Sequence, residues 1–414
     1  MFFKLFNIRL VTTIFILQVF LYTGCATNNT KQSAGVGPSL SSSYLNQNKH
    51  STVQALPKLD VIIPVFDPGL PEDGDYEDEN IWPEIRRAES NRFAYKLKEK
   101  LDETGQFGAV RVTPDSTATG DLYILGQIKV SNGEEIEIAV EAIDISNRKW
   151  LDESFDHEVS DTFYKNYRNK GKDPYDPLFE EVAIKITEEL SDHGSKELED
   201  LRLLANIRFG ANFLDSKFMQ YIKKENGQFE LVSKPSHKDP MFRRVKVIRV
   251  RDQLFIDGLQ NNYASFSTKM NNSYLMWQNQ SLLEIKAKRS ANRKAIGQAI
   301  GGVALIGLGV LSAVAGAGSY SPATQTASTL GLVAGGVGGA VLIGKSLESN
   351  EEANMHRDTL NELGQSVDLE LAPKVIEFNK NSVELTGNAK EQFMQWRNFL
   401  QRIYLEEKTP DVQL

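Results

Sequence analysis

The chain contains a single cysteine, Cys25, among its 414 residues. It therefore forms no intrachain disulfide, and beyond Cys25 it has no thiolate for a metal cluster and no candidate catalytic thiol. Stability must come from packing, and a content of 41% hydrophobic and 25% charged residues is ordinary for a globular protein. A chain of this length has room for two or three domains.

The sequence also lacks an excess of positive charge. Its 55 Asp and Glu residues outnumber its 47 Lys and Arg residues, which gives a formal net charge of −8. A nucleic-acid-binding surface needs a cationic excess, so we expect no nucleic acid partner. The five histidines are scattered, and the sequence has no HExxH, G-x-S-x-G, P-loop or dinucleotide-binding pattern. We therefore predict that the chain is not an enzyme and holds no metal. An envelope hydrolase would need convergent carboxylates, which the sequence does not indicate.

Cys25 follows a leader that is first basic, then apolar, then rich in small residues. Residues 1–9 carry two cations and no anion, and residues 10–21 form an apolar run too short for a comfortable membrane span. The segment LYTGC, which ends at Cys25, resembles the lipobox of bacterial lipoproteins, although Tyr22 replaces the usual aliphatic residue. The resemblance implies a signal peptide over residues 1–24 and acyl chains such as palmitate on Cys25, with no other cofactor. An ordinary signal peptide cut nearby and a short uncleaved anchor are the alternatives.

The residues that follow the cysteine indicate location. Several acyl chains make release from a membrane slow, because each buried methylene adds about 0.8 kcal/mol of membrane affinity. Ala26 stands where an aspartate commonly signals inner-membrane retention in lipoproteins of diderm bacteria. The resemblance therefore implies an outer-membrane protein, lipid-anchored and facing the periplasm. Residues 25–57 are rich in Asn, Ser, Thr, Gln and Gly, which predicts a lipidated flexible tether.

Strand and helix patterns alternate over residues 58–192. The β-branched run LDVIIPVF ends at Phe66, a helical pattern covers residues 82–104, four strand-like segments follow, and a second helical pattern ends at Leu190. One of these segments, residues 135–145, alternates apolar and polar side chains, which is typical of a sheet with one buried face. The order strand, helix, four strands, helix predicts a small mixed α/β sheet domain.

This order resembles a known group of envelope domains. The resemblance rests on the opening strand, on GDLYILG at residues 120–126, and on AIDI at residues 142–145 followed by Lys149-Trp150. It is to the periplasmic α/β domain shared by the curli-secretion lipoprotein, the lipoprotein activators of penicillin-binding proteins and the amino-terminal domain of the Tol translocation protein. It covers residues 58–192 and consists of patterns rather than an invariant signature. It implies a docking or assembly module rather than a catalyst.

The next segment, residues 193–294, has mainly helical patterns. Asp239-Pro240 is typical of a helix start, and one helix could run from there to residue 294 unless Gly258 or Asn261-Asn262 breaks it. We assign one apolar face of this helix to Val250, Leu254, Tyr263, Phe266, Met270, Tyr274, Trp277 and Ile285. Over residues 346–414 the patterns predict a helix, a strand at residues 375–378 and a closing helix that docks on the chain itself, with docking on a partner as the alternative.

Two uncharged apolar stretches, residues 295–318 and 327–344, are joined by a polar segment. The first is long enough to span a hydrocarbon core. Glycines recur every four residues, as in the glycine-zipper segments of bacterial envelope proteins that these stretches resemble: Gly297, Gly301, Gly331, Gly335 and Gly339. Each glycine costs a helix about 1 kcal/mol relative to alanine, so the concentration of glycine requires a compensating close contact.

We therefore predict a glycine-rich helical hairpin over residues 295–345. It inserts into a membrane as transmembrane helices or packs between protomers of a homo-oligomer, and an ordinary buried hairpin is the third interpretation. Six cations flank it and suit lipid headgroups: Lys286, Lys288, Arg289, Arg293, Lys294 and Lys345.

Two charged runs have competing interpretations. The acidic run at residues 72–79 lacks the regular alternation and spaced glycine of an EF-hand loop, so we favour a solvated loop over a calcium site. The basic run at residues 243–251 is interpreted as a solvated helix face, with contact to an anionic glycan or headgroup as the alternative.

These patterns predict an α+β chain in which a small mixed α/β sheet domain precedes a mainly helical region with a glycine-rich apolar helical hairpin. The predicted function is that of a non-enzymatic outer-membrane lipoprotein. It would act as a docking or assembly component of a cell-envelope or secretion complex, with an envelope protein as partner and the hairpin used for oligomerisation or membrane insertion. The alternative is a periplasmic regulator that binds peptidoglycan or a peptidoglycan synthase.

Overall fold

A computed structural model describes five stretches of the chain, residues 56–71, 81–213, 216–313, 351–378 and 381–408. The predicted signal peptide, Cys25, nearly all of the tether, the acidic run and the second half of the hairpin with Gly331, Gly335 and Gly339 lie outside these stretches.

The described residues form a mixed α and β structure around a five-stranded sheet. Its strands, in chain order, are β1 Val61–Pro64, β2 Val110–Thr113, β3 Leu122–Ser131, β4 Glu135–Asp144 and β5 Lys149–Glu158. Their spatial order is β2-β1-β3-β4-β5, with β1 parallel to both of its neighbours and β3, β4 and β5 antiparallel. The predicted order of strand, helix, four strands and helix is confirmed.

Two helices pack on this sheet, α1 Pro83–Thr104 and α2 Asp176–Ser191. They contact each other; α1 also contacts β1, β2 and β3, and α2 contacts β5. In β4 the apolar positions of the alternating pattern are buried and the intervening glutamates are not, as the period of two predicts. The predicted end of α1 at Gly105 is also confirmed, because Gly105 adopts a left-handed backbone with φ of 64° and donates its N–H to Asp102.

The third helix leads into a hairpin that sequence reasoning missed. Helix α3 spans Ser195–Phe213, and after a 3-10 turn at Ser216–Tyr221 the strands β6 Ile222–Glu225 and β7 Gln228–Leu231 pair antiparallel. The turn is Asn226-Gly227, with both residues at positive φ. An Asn-Gly pair between two short strands is a strong hairpin signal, so this hairpin could have been predicted from the sequence.

Helix α4, Pro240–Ala313, is a single helix of 74 residues, about 110 Å long at about 1.5 Å per residue. Asp239 caps it as predicted, because its Oδ1 accepts the N–H of Met241 at 2.8 Å. Neither Gly258 nor Asn261-Asn262 breaks the helix. The helix also continues into the glycine-rich stretch, so residues 295–313 extend α4 rather than beginning a separate helix.

The predicted apolar face of α4 is correct over Tyr263–Tyr274 and wrong near the start. Tyr263, Met270 and Tyr274 are buried, whereas Val250 and Leu254 are 52% and 62% exposed. Ile248, Phe255 and Ile256 are buried in that part of the helix instead.

The carboxyl-terminal part adds helix α5 Glu351–Leu363, the paired strands β8 Lys374–Phe378 and β9 Asn381–Leu385, and helix α6 Ala389–Lys408. Strand β9 was not predicted. Helix α6 docks on its own chain as predicted, since Trp396 stacks on Phe255 of α4 with ring centroids 5.3 Å apart.

One hydrophobic core runs from Leu59 to Tyr404. No helix within the described stretches combines the length and apolar character that a membrane crossing requires.

Directional bonds hold α4 against the edge strand β2. Gln260 accepts the Val112 N–H and donates to the Val112 carbonyl, both at 2.9 Å, as a neighbouring strand would. Arg111 of β2 pairs with Asp257 of α4 at 2.6 Å. The edge of the sheet is therefore closed by side chains of a helix.

A buried polar network holds α4 against α1. The Glu89 carboxylate accepts hydrogen bonds from Ser131 at 2.5 Å and from Tyr274 of α4 at 2.7 Å. Nearby, Arg92 pairs with Asp173 at 2.7 Å, and both side chains are almost fully buried. Burial raises the pKa of Glu89 from its ordinary value of 4.5 to about 7, against the opposing effects of Arg86 and the two hydroxyl donors.

This pKa predicts a pH dependence of stability. The folded state holds the Glu89 proton more tightly than the unfolded state, so its contribution is complete below about pH 4.5 and is lost as the pH rises through about 7. We expect the free energy of unfolding in urea to fall by up to about 3 kcal/mol between about pH 5 and about pH 8. Glu89→Gln should remove most of this fall, whereas Glu158→Gln, at an exposed carboxylate, should retain it. An equal pH dependence in the two variants would contradict the assignment.

Candidate anion-binding pocket

A cavity of about 420 Å³ lies where β3 begins, between α3, the β6–β7 hairpin and α6. Two arginines line it, Arg208 of α3 and Arg397 of α6, together with hydroxyl side chains and a wall of aliphatic and aromatic side chains. Cavities of this size are typical of small-molecule sites, which combine an apolar lining with a few polar groups.

Local packing explains how α3 presents Arg208. The residues on either side, Ile207 and Phe209, are buried in the core. Gly210 brings the helix close to the Phe218 ring, because a Cβ at Gly210 would lie 3.0 Å from that ring. The backbone at Arg208 is thus held between tightly packed positions, next to the cavity.

Arg208 has no acidic partner among the described residues. Its guanidinium donates a hydrogen bond to the Ile145 carbonyl oxygen and lies over the Phe229 ring, 4.1 Å from the centroid. Burial lowers the pKa of Arg208, against the opposing effects of Tyr123 and of the buried Asp144 carboxylate, which is itself paired with Arg148. An arginine remains charged at neutral pH even so, and the cavity therefore carries a positive charge that forms no ion pair within the described residues.

Arg397 differs, because its charge is compensated. It pairs with the buried carboxylate of Asp252 at 3.2 Å and donates to the Thr117 carbonyl at 2.6 Å and the Thr119 hydroxyl at 3.2 Å. Burial raises the pKa of Asp252 and Arg397 opposes that rise. Arg397 thus closes one wall of the cavity and adds no net charge to it.

Tyr123 contributes a neutral hydroxyl. Its oxygen accepts the Gly120 N–H at 3.1 Å, and burial raises the pKa of the phenol. The arrangement can therefore bind a small anion next to an apolar group. In the described part of the chain, no group of three or more His, Cys, Asp or Glu side chains is placed to hold a metal ion.

The pocket contains none of the residues that the sequence singled out. Gly297 and Gly301 lie one turn apart near the end of α4, while Cys25 and the other three zipper glycines are outside the described residues. The pocket was missed because Arg208 and Arg397 are brought together only by the fold. One signal was present, because Arg208 interrupts an apolar helical pattern between Ile207 and Phe209.

The basic run at residues 243–251 is not simply a solvated face. Arg249 is buried and pairs with Asp121 at 3.1 Å, and Arg244 donates to the Tyr404 carbonyl at 3.0 Å. The solvated-face interpretation is therefore wrong for these two residues, because both hold α4 to other elements. Arg243 of the same run is exposed.

Comparison with known proteins yields no match, whether with protein-family models, with curated proteins or with solved structures. What the chain does must therefore be inferred from its own residues.

Two substitutions separate a structural arginine from a binding arginine. Arg249→Met leaves the buried Asp121 carboxylate without its partner, which typically costs about 3 kcal/mol or more. Arg208→Met leaves no carboxylate behind, and we expect the free energy of unfolding to change by no more than about 1 kcal/mol, the scale of one hydrogen bond. Urea unfolding of both variants measures the difference. If Arg208→Met proved as damaging as Arg249→Met, Arg208 would be a structural residue.

Proposed function

We propose that this chain is a non-enzymatic, lipid-anchored protein of the outer membrane, facing the periplasm, and a docking or assembly component of an envelope or secretion complex. In this proposal the lipid on Cys25 anchors the chain, the α/β body contacts an envelope protein, and residues 295–345 form a glycine-rich hairpin. The hairpin contacts membrane lipid or other copies of the chain.

The observation that carries the proposal is the continuity of helix α4. Its first part is built into the core through buried side chains such as Phe242, Tyr263 and Tyr274. Its last part, residues 295–313, is the beginning of the glycine-rich stretch. A continuous helix has no flexible joint, so whatever the glycine-rich segment binds also positions the α/β body.

Cations that precede the glycine-rich stretch support this coupling. Lys286 pairs with Asp161, and Arg289 makes two contacts of 2.7 Å with the buried Glu134 carboxylate. The sequence predicts that these two cations contact lipid headgroups, whereas in the structure they pair with carboxylates of the α/β body. The helix is thereby held to the body to within a few residues of Ala295.

The alternative, a periplasmic regulator, is favoured by a different observation. Peptidoglycan stem peptides carry carboxylates, and Arg208, which forms no ion pair among the described residues, lines a cavity suited to a carboxylate. Under this alternative the glycine-rich segment is structural packing only, and the acyl anchor is the sole membrane contact.

Membrane fractionation with carbonate extraction tests the proposal. The intact chain is compared with a Cys25→Ala form that has a cleavable signal, and with the same form lacking residues 295–344. We expect the unlipidated form to resist carbonate only while it retains the hairpin, because an inserted apolar hairpin is not released by high pH. Release of the unlipidated form despite its hairpin would contradict membrane insertion and favour the regulator or a contact between protomers.

A second experiment tests a zipper between copies. Gly301→Leu places a bulky side chain on the predicted glycine stripe, whereas Gly302→Leu adds the same side chain one position away from it. We expect chemical cross-linking to detect oligomers of the unchanged chain and of the Gly302→Leu form, and fewer of the Gly301→Leu form. An equal yield from the two variants would argue against the stripe as the interface.

A further inference from the structure

We propose that the cavity beside Arg208 is a binding site for a singly charged oxyanion carried on an apolar group, with Arg208 as the partner of the anion. This inference goes beyond the proposed function, because it depends on neither the acyl anchor nor the glycine-rich hairpin.

The charge of the cavity selects a monoanion. Asp252 neutralises Arg397, and burial keeps the Tyr123 phenol uncharged by raising its pKa. Arg208 is therefore the lining cation that makes no ion pair among the described residues, because the nearby buried carboxylate of Asp144 is paired with Arg148 at 3.3 Å. A partly buried charge without an ion pair is unfavourable in the free protein, and a ligand with one negative charge would relieve that cost. A dianion would bring a second charge for which the cavity has no partner among the described residues.

The geometry of Arg208 prepares it for an oxyanion. A guanidinium has five N–H donors arranged in a plane, and the Ile145 carbonyl accepts from one of its terminal nitrogens. The guanidinium carbon lies over the Phe229 ring, 4.1 Å from its centroid. The edge of the plane remains for the two oxygens of a carboxylate or a phosphate diester, the acceptors that arginine binds in a bidentate manner.

The rest of the lining suits an apolar group next to the anion. Phe209 and Ile222 are buried side chains of the wall, and Met219, which is 49% exposed, lies on the solvent side. A flexible thioether of this kind can adjust to the shape of a ligand. Two sources offer the required chemistry: a small apolar carboxylate and the phosphodiester of a lipid headgroup.

Isothermal titration of the full chain in a non-ionic detergent tests the proposal with matched probes. N-acetylphenylalanine supplies a carboxylate on an apolar group, and its amide is the same molecule without the charge. Short-chain phosphatidylglycerol supplies the phosphodiester, and inorganic phosphate supplies an anion without an apolar part. We expect one of the two apolar monoanions to bind at least tenfold more tightly than both the amide and inorganic phosphate, and the stronger of them identifies the source.

Variants then assign the binding to Arg208. Arg208→Met should weaken the favoured probe at least tenfold, and Arg208→Lys should weaken it less, because the charge remains while the planar fork is lost. Arg402→Met, at an exposed arginine of α6 outside the cavity, should bind as the unchanged chain does. Equal binding of the acid and the amide, no binding of either apolar monoanion, or unchanged binding by Arg208→Met would each overturn the proposal. The acid and amide comparison needs no variant, so it holds even if a substitution impairs folding.

Discussion

The attachment of helix α4 to the edge of the sheet is the constraint on which the rest of the structure depends. Apolar burial is not directional, whereas hydrogen bonds and ion pairs join particular residues and so set the axial position of a helix. The paired hydrogen bonds of Gln260 to Val112 and the ion pair of Arg111 with Asp257 set its position. With that position set, Tyr274 of α4 hydrogen-bonds to Glu89 in the buried polar network. Nearer the start of α4, helix α6 packs on it, and Arg397 of α6 lines the cavity beside Arg208.

Charge compensation divides four arginines of the described residues into two kinds. Arg92, Arg249 and Arg397 each contact a buried carboxylate, and each pair joins elements that are distant in the chain. Such pairs contribute specificity of arrangement more than stability, because desolvation offsets much of their attraction. Arg208 is of the other kind, since a backbone carbonyl and an aromatic ring contact it and it forms no ion pair in the described part of the chain. The pocket is therefore a place where a ligand can supply the negative charge that Asp173, Asp121 and Asp252 supply to the other three arginines.

Prediction from sequence succeeded where a pattern depends on near neighbours. The alternation of residues 135–145 shows which face of β4 is buried, since successive side chains of a strand point to opposite faces. The end of α1 at Gly105 and the cap of α4 at Asp239 depend on one or two residues whose backbone preferences are strong. The Asn-Gly hairpin at residues 222–231 belongs to the same class and was missed only because the surrounding pattern is mainly helical.

The sequence by itself therefore determined the mixed α and β class and the order of elements in the sheet domain, since periodicity and caps are local properties. Only the tertiary structure decided that Arg249 is buried, that Val250 and Leu254 are exposed, and that Arg208 and Arg397 share a cavity. Each of these outcomes depends on which distant segment packs against a residue. The helical period alone does not say which face of a long helix is buried. Different parts of such a helix pack against different elements, so the buried face changes along its length.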